Sequence, residues 1–227
     1  EYYFVDGNYR YQWGNALVRI DFSNSKSMTR LGDLDVPGNF AGASFDGSYI
    51  YCYEAREFYH NWLYDARSSG DTFKNGTFYV LSTENDVATV VKAFNMPWNI
   101  RRVLIEDDMA VLISTKWGQS GFYHFDSKED PSRFKVWLID LSDPNSPKLR
   151  GSFHGVGGLS GAYLLKNNLI LELNYHELAV YDLSNPGKVE FVGMFPRVGW
   201  THGIKIFHNI LFQVAGYYGI VGFPLDG

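Results

Sequence analysis

Residues 136–153, VWLIDLSDPNSPKLRGSF, read as a strand, a Pro/Asn/Asp turn and a second strand, which makes a β-hairpin. The chain repeats it. Residues 178–187, LAVYDLSNPG, are a close copy followed by Gly193, and residues 17–23, LVRIDFS, are a looser one followed by Gly32. Residues 78–82 with Ala93 form a degenerate copy, and residues 220–226 a truncated one. A hairpin that recurs along a chain has to stack on its own copies to bury its apolar face, so the repeat restricts the fold more than any other feature.

Equivalent positions are Asp21, Ser82, Asp140, Asp182 and Pro224, at successive spacings of 61, 58, 42 and 42 residues. Eleven residues after Asp21, Asp140 and Asp182 comes a glycine, and eleven after Ser82 comes Ala93. A period near 42 suits a four-stranded propeller blade, which runs to roughly 40–50 residues. The two long spacings are then a blade plus an insertion, at 55–74 and 116–133. The expected fold class is all-β: a β-propeller of four-stranded antiparallel blades, about 4.5 of them in this chain. The blades fall at approximately 1–38, 39–98, 99–158, 159–200 and 201–227, within one domain. Both ends fall inside a blade, and a ring must close or expose its strand edges. The chain is therefore expected to be an arc of a larger propeller, with the rest on a second chain or disordered, and a five-bladed ring closed irregularly is the alternative.

The runs VWLIDLSDP at 136–144 and VYDLSNP at 180–186 resemble the LVIVD-type propeller repeat, a family of bacterial and archaeal extracytoplasmic proteins. The resemblance implies the propeller fold and a secreted, periplasmic or cell-surface setting. It implies little chemistry, because propellers host many unrelated functions.

Composition narrows the partners. The chain has 227 residues, 45% hydrophobic and 17% aromatic, which excludes disorder, and its formal charge of −5 offers no basic surface to nucleic-acid phosphates. No apolar run has the length of a transmembrane segment. The first residues already look like a strand, so an exported protein would have lost its leader. Cys52 is the only cysteine and lies in an alternating strand, where a small buried apolar side chain is the simpler reading over a reactive thiol.

In a propeller, the loops joining second to third strands share a face with the connections between blades. Aromatic residues collect on that face. Tyr9, Trp13, Tyr59, Trp62, Trp117, Tyr123, Tyr175, Tyr217 and Tyr218 come from loops within blades, and Trp98 and Trp200 from connections between them. Large aromatics in loops bury much area at little entropic cost and suit a glycan, a peptide or a protein partner. The alternative is that the insertions use them as small cores of their own. Arg101, at the start of an innermost strand, could meet an anionic ligand or pair with a carboxylate.

Five of six histidines, His60, His124, His154, His176 and His202, fall on the same face, and His154 and His202 start equivalent connections. They are the first pair to test for a transition metal such as copper, zinc or iron. No cofactor is otherwise expected. There is no nucleophile elbow, phosphate loop, dinucleotide fingerprint or His-Glu-x-x-His run. The leading expectation is an extracytoplasmic scaffold that binds through an aromatic-rich loop face. The alternative is an enzyme with its site over the central channel, either a histidine-metal oxidoreductase or a hydrolase or lyase acting on a polymer.

Overall fold

A computed structural model describes residues 2–5, 8–11, 15–21, 23, 27–54, 76–115, 134–199 and 203–225, with backbone alone for 2–5, 8–11 and 15. Among the described residues, regular structure is antiparallel strand except for two 3-10 turns, Glu84–Asp86 and Gly216–Tyr218. No helix there is long and apolar enough to cross a membrane. The chain divides into two compact units: Glu1–Ile100 with Asp143–Pro147, and Arg101–Ser142 with Lys148–Gly227. The insertions at 55–74 and 116–133 lie outside the described residues.

In the first unit, β1 (Tyr2–Val5) pairs with β2 (Asn8–Tyr11) in a two-stranded sheet. This corrects the reading of the segment around Tyr9 as loop. Its two tyrosines alternate with Asn8 and Arg10, a pattern a strand accepts readily. β1 therefore pairs with β2 instead of joining β3 (Asn15–Asp21), which pairs with β4 (Thr29–Val36). β5 (Asn39–Ala43), β6 (Tyr49–Glu54), β7 (Gly76–Ser82) and β8 (Thr89–Met96) form a four-stranded meander. Leu34 and Val36 of β4 pack on Ile50, Cys52 and Leu81 and bring the two sheets together.

In the second unit, β9 (Asn99–Glu106), β10 (Met109–Thr115), β11 (Phe134–Asp140) and β12 (Lys148–Gly155) form one meander. β13 (Leu159–Leu165), β14 (Asn168–Leu173), β15 (Glu177–Asp182) and β16 (Glu190–Pro196) form the next. β17 (Gly203–Phe207), β18 (Ile210–Val214) and β19 (Ile220–Pro224) form a three-stranded sheet. The middle sheet is buried on both faces. Leu169, Leu171 and Leu173 point into a cluster with Val111, Ile113, Phe134 and Val136, while Ile170, Leu178 and Val180 meet Ile206 and Leu211. Burial on both sides explains why β14 reads as an almost unbroken apolar run. Each such side chain contributes about 1.5–3 kcal/mol through removal from water.

The repeated hairpin is built from one set of hydrogen bonds. Asp21, Asp140 and Asp182 each accept from the amide two residues on, those of Ser23, Ser142 and Ser184, at 2.7, 2.9 and 2.8 Å. The following residue donates its amide to the turn between the first two strands: Leu141 to Asp108 at 2.7 Å, Leu183 to Asn167 at 2.7 Å, Leu225 to Asn209 at 2.9 Å and Thr83 to Ser48 at 3.0 Å. Just before it, a bulge interrupts the ladder at Arg19/Ile20, Val80/Leu81, Leu138/Ile139 and Val180/Tyr181. The glycines Gly32, Gly151 and Gly193 are the residues that resume pairing after it. In β8 that register position belongs to Lys92, not Ala93, because the loop before it is one residue shorter.

Candidate functional site

The apolar run of β14 contains one charged residue, Glu172, and the second unit is arranged to receive it. Its strand partner is Gly161, where a Cβ would lie 2.3 Å from Glu172 Oε2. The Tyr163 hydroxyl donates to Glu172 Oε1 at 3.2 Å, and Arg197 Nε lies 3.8 Å from the same oxygen. The pair is well covered, with side-chain exposures of 7% for Glu172 and 16% for Arg197. Burial, then the Glu172 charge, pushes the Tyr163 hydroxyl above its ordinary pKa, and the nearby Arg102 and Arg197 oppose that shift. Tyr163 is thus held as a donor.

Arg197 begins the connection from β16 to β17, and that connection is tied down at several points. The Arg197 amide donates to His176 O at 2.8 Å and its Nη1 to Tyr175 O at 3.5 Å, both in the β14–β15 turn. Gln213, fully buried on β18, donates through Nε2 to Pro196 O at 2.9 Å and accepts from the Val198 amide at 3.1 Å. Gly199 has φ +58, and a Cβ there would lie 2.9 Å from the Tyr218 ring.

These contacts bring two turns and a connection to one edge of the second unit. Tyr175, Tyr217 and Tyr218 stand there at 51%, 108% and 71% exposure. Ring faces, phenol groups and the covered carboxylate–guanidinium pair beneath them provide apolar contact beside hydrogen-bond donors and acceptors. Among the described residues, no three His, Cys, Asp or Glu side chains are gathered as a metal site.

Of the residues singled out in the sequence, Tyr217 joins this edge with Tyr175 and Tyr218. Arg101 is exposed on β9, while its neighbour Arg102 donates to Ala162 O at 3.0 Å. His154 is exposed on β12 opposite Lys135, and Trp98, in the first unit, is half-buried and accepts from the Gly76 amide at 3.2 Å. Tyr9 is placed on β2 by its backbone. Trp13, Tyr59, Trp62, Trp117, Tyr123, Trp200 and His202 lie outside the described residues, as do His60 and His124. Glu172, Arg197, Tyr163 and Gln213 are the residues that the sequence did not single out. The legible signal was a lone carboxylate within an apolar strand.

At the other end of the same strands, a shallow cleft of about 500 Å³ runs between Met109, Asp140, Arg150 and Pro186. Arg150 Nε donates to Asp140 Oδ2 at 2.8 Å and occupies its wall.

No family model matches the chain, and no curated protein does. Solved structures are similar to it in fold. The computationally designed Ika8 protein is 9% identical with a TM-score of 0.51, over 87% of this chain and 50% of that one. A protein from Lactobacillus plantarum is 11% identical with a TM-score of 0.50, over 84% of this chain and 52% of its own. The chain thus spans about half the length of each.

Proposed function

We propose that the chain is an arc of an extracytoplasmic β-propeller that serves as a binding scaffold, with the tyrosine-lined edge around Arg197 as its recognition surface. The propeller reading rests on the successive meanders of the second unit, each packed on the next through the same register, and the setting rests on the LVIVD-type resemblance. One observation carries the binding reading: three exposed tyrosines converge on a connection that buried groups hold rigid. Aromatic side chains have few torsions and lose little entropy on contact when the backbone that carries them is held, so they favour a glycan or an extended polypeptide presented to that edge.

The test is capture of the purified chain on panels of oligosaccharides and peptides, followed by titration of whichever binds. Tyr217→Ala and Tyr218→Ala are expected to weaken binding by about tenfold or more each, the size typical of an aromatic anchor. Wild-type affinity in both variants would remove this edge from the reading. Stoichiometric copper, zinc or iron that vanishes in a His154→Ala/His202→Ala variant would overturn it in favour of a metal-dependent enzyme.

A further inference from the structure

Two arginines of the second unit carry N–H groups that the fold leaves unused. Arg102, exposed on β9, donates through Nη1 to Ala162 O at 3.0 Å, and among the described residues it meets no carboxylate. Arg197 has Nε buried without an acceptor, and its Nη1 reaches Tyr175 O only at 3.5 Å. A line of contacts joins the two. Ala162 precedes Tyr163, Tyr163 donates to Glu172, Glu172 lies beside Arg197, and Arg197 is tied to the turn of Tyr175. Charge along this line does not balance. The Tyr163 hydroxyl is acted on by one carboxylate, Glu172, and by two guanidinium groups, Arg102 and Arg197. Glu177, at the start of β15, alternates with Leu178 and points to the other face of the sheet. One positive charge is left over in a chain whose formal charge is −5, so composition does not account for it.

The Tyr175 turn supplies an independent observation. Three turns of the second unit have two consecutive left-handed residues: Lys166–Asn167, Asn174–Tyr175 and His208–Asn209. In two of them the second residue is asparagine, whose short polar side chain tolerates that backbone. Tyr175, at φ 63, is the exception, and its ring stands half-exposed. A bulky side chain held on a disfavoured backbone, with its ring in solvent, points to a contact made outside the fold.

We propose that the tyrosine edge takes a uronate polysaccharide, with sugar rings against Tyr175, Tyr217 and Tyr218 and a carboxylate on Arg102. The inference rests on that edge being the recognition surface and names its ligand. Arginine nitrogens only donate, and their planar fork matches the two oxygens of a carboxylate. Arg197, behind Glu172, adds to the positive charge that draws the acid in. A uronate chain carries a ring and a carboxylate on every unit, so one extended ligand meets tyrosines and guanidinium together. An acidic peptide brings the charge without regular ring faces, and a neutral glycan leaves the Arg102 donors unused.

Calorimetric titration of the 227-residue chain with a tetramer of galacturonic acid tests it, beside the methyl ester of the same tetramer, whose rings are kept and whose charge is gone. The acid is expected to bind about tenfold or more tightly than the ester, the worth of a charge-assisted hydrogen bond. Arg102→Gln should weaken binding of the acid by about tenfold to a hundredfold, leave the ester unaffected and keep the melting temperature, because the residue is exposed. If that variant melts early, Arg102→Lys replaces it, since it keeps the charge and loses only the fork. Tyr175→Asn should raise the melting temperature and still weaken binding. Equal affinity for acid and ester, or full affinity in the Arg102 variant, would overturn the carboxylate. Full affinity in Tyr175→Asn would overturn the ring contact. Tighter binding of a hexaglutamate peptide or of a sulfated tetramer would overturn the uronate. If only neutral oligosaccharides or peptides bind, and Tyr217→Ala weakens them, the edge stands and the uronate falls; if nothing binds, both fall.

Discussion

Arg197 Nε approaches Glu172 Oε1 to 3.8 Å but forms no hydrogen bond with it, while Tyr163 donates to the same oxygen. Two covered charges balance each other here without close geometry. Removing one leaves the other unpaired in a poorly solvated place. Glu172→Met and Arg197→Met are each expected to lower stability by about 3 kcal/mol in urea unfolding, whereas Glu172→Met/Arg197→Met should recover part of the loss. A double variant that loses the sum of the two single losses would show that the charges are not coupled.

The glycine column should separate by position. Gly151 faces the Pro186 carbonyl, and a Cβ there would lie 2.4 Å from that oxygen. Gly193, at the equivalent position, would place its Cβ 3.4 Å from the Phe195 ring, an ordinary contact. Gly151→Ala is expected to destabilise by about 1–3 kcal/mol, as overpacking does, and Gly193→Ala by far less. Denaturant midpoints of the two variants check this. Gly32→Ala should also destabilise, for a different reason: its φ of +122 is a conformation other residues avoid.

Asp140 gives a pH signature. Hydrogen bonds from the Ser142 hydroxyl and amide, then Arg150, hold its carboxyl at a pKa of about 2 against an ordinary 3.8. The pKa is depressed in the folded state, so its stabilisation is complete above pH 4 and is lost as pH falls through 2. Asp140→Asn should be less stable than the parent at pH 6 by about 1 kcal/mol, the net worth of one such hydrogen bond. The difference should shrink toward zero near pH 2. Thermal melts at a series of pH values measure it, and a gap that is constant with pH would exclude the carboxylate as its source.

Strand positions were legible because alternation and turn residues are local. The strands Phe134–Asp140, Lys148–Gly155, Glu177–Asp182 and Glu190–Pro196 lie close to where the repeated hairpin puts them, and the Asp/Ser/Pro turns are hydrogen-bonded as their chemistry suggests. β2 was not legible, since a polar aromatic segment suits strand and loop alike. The bulge was visible only through its consequence, a glycine at fixed distance, and the shorter loop before β8 broke even that count. The candidate site was harder still. Tyr217 and Tyr175 announce themselves as loop aromatics, but Glu172 meets Arg197 only through folding, and Gln213 looks like any strand residue until its partners are known. Sequence separation, not residue type, hid them.

Cys52 should be silent toward reagents. It is fully buried on β6, and burial raises its thiol to about 11, so at pH 8 almost no thiolate exists and none is accessible. No reaction with a chromogenic disulfide is expected in the native state, and one equivalent is expected in denaturant. Rapid native labelling would show that the sheet around β6 opens readily.

Gln213 links β18 to the edge proposed for recognition. Its amide is buried and bridges Pro196 O and the Val198 amide, the two backbone groups on either side of Arg197. Gln213→Leu keeps approximate volume but removes the side-chain partner of the Pro196 carbonyl and of the Val198 amide, an expected loss of about 1 kcal/mol for each hydrogen bond. The larger consequence is positional. With the connection released, Arg197 and the Gly199 backbone beneath Tyr218 no longer sit on a fixed support, so the tyrosines would have to be ordered by the ligand at the ligand's expense. Binding should therefore fall in Gln213→Leu although the variant touches no ligand, with a slower association or faster dissociation and a more unfavourable binding entropy by calorimetry. Gln213→Glu separates the causes. Its ionised carboxylate would stand unpaired in a buried place against Pro196 O, so above the carboxyl's pKa its affinity and stability should fall at least as far as in the Leu variant, and both should approach the parent as the carboxyl gains a proton and with it a donor.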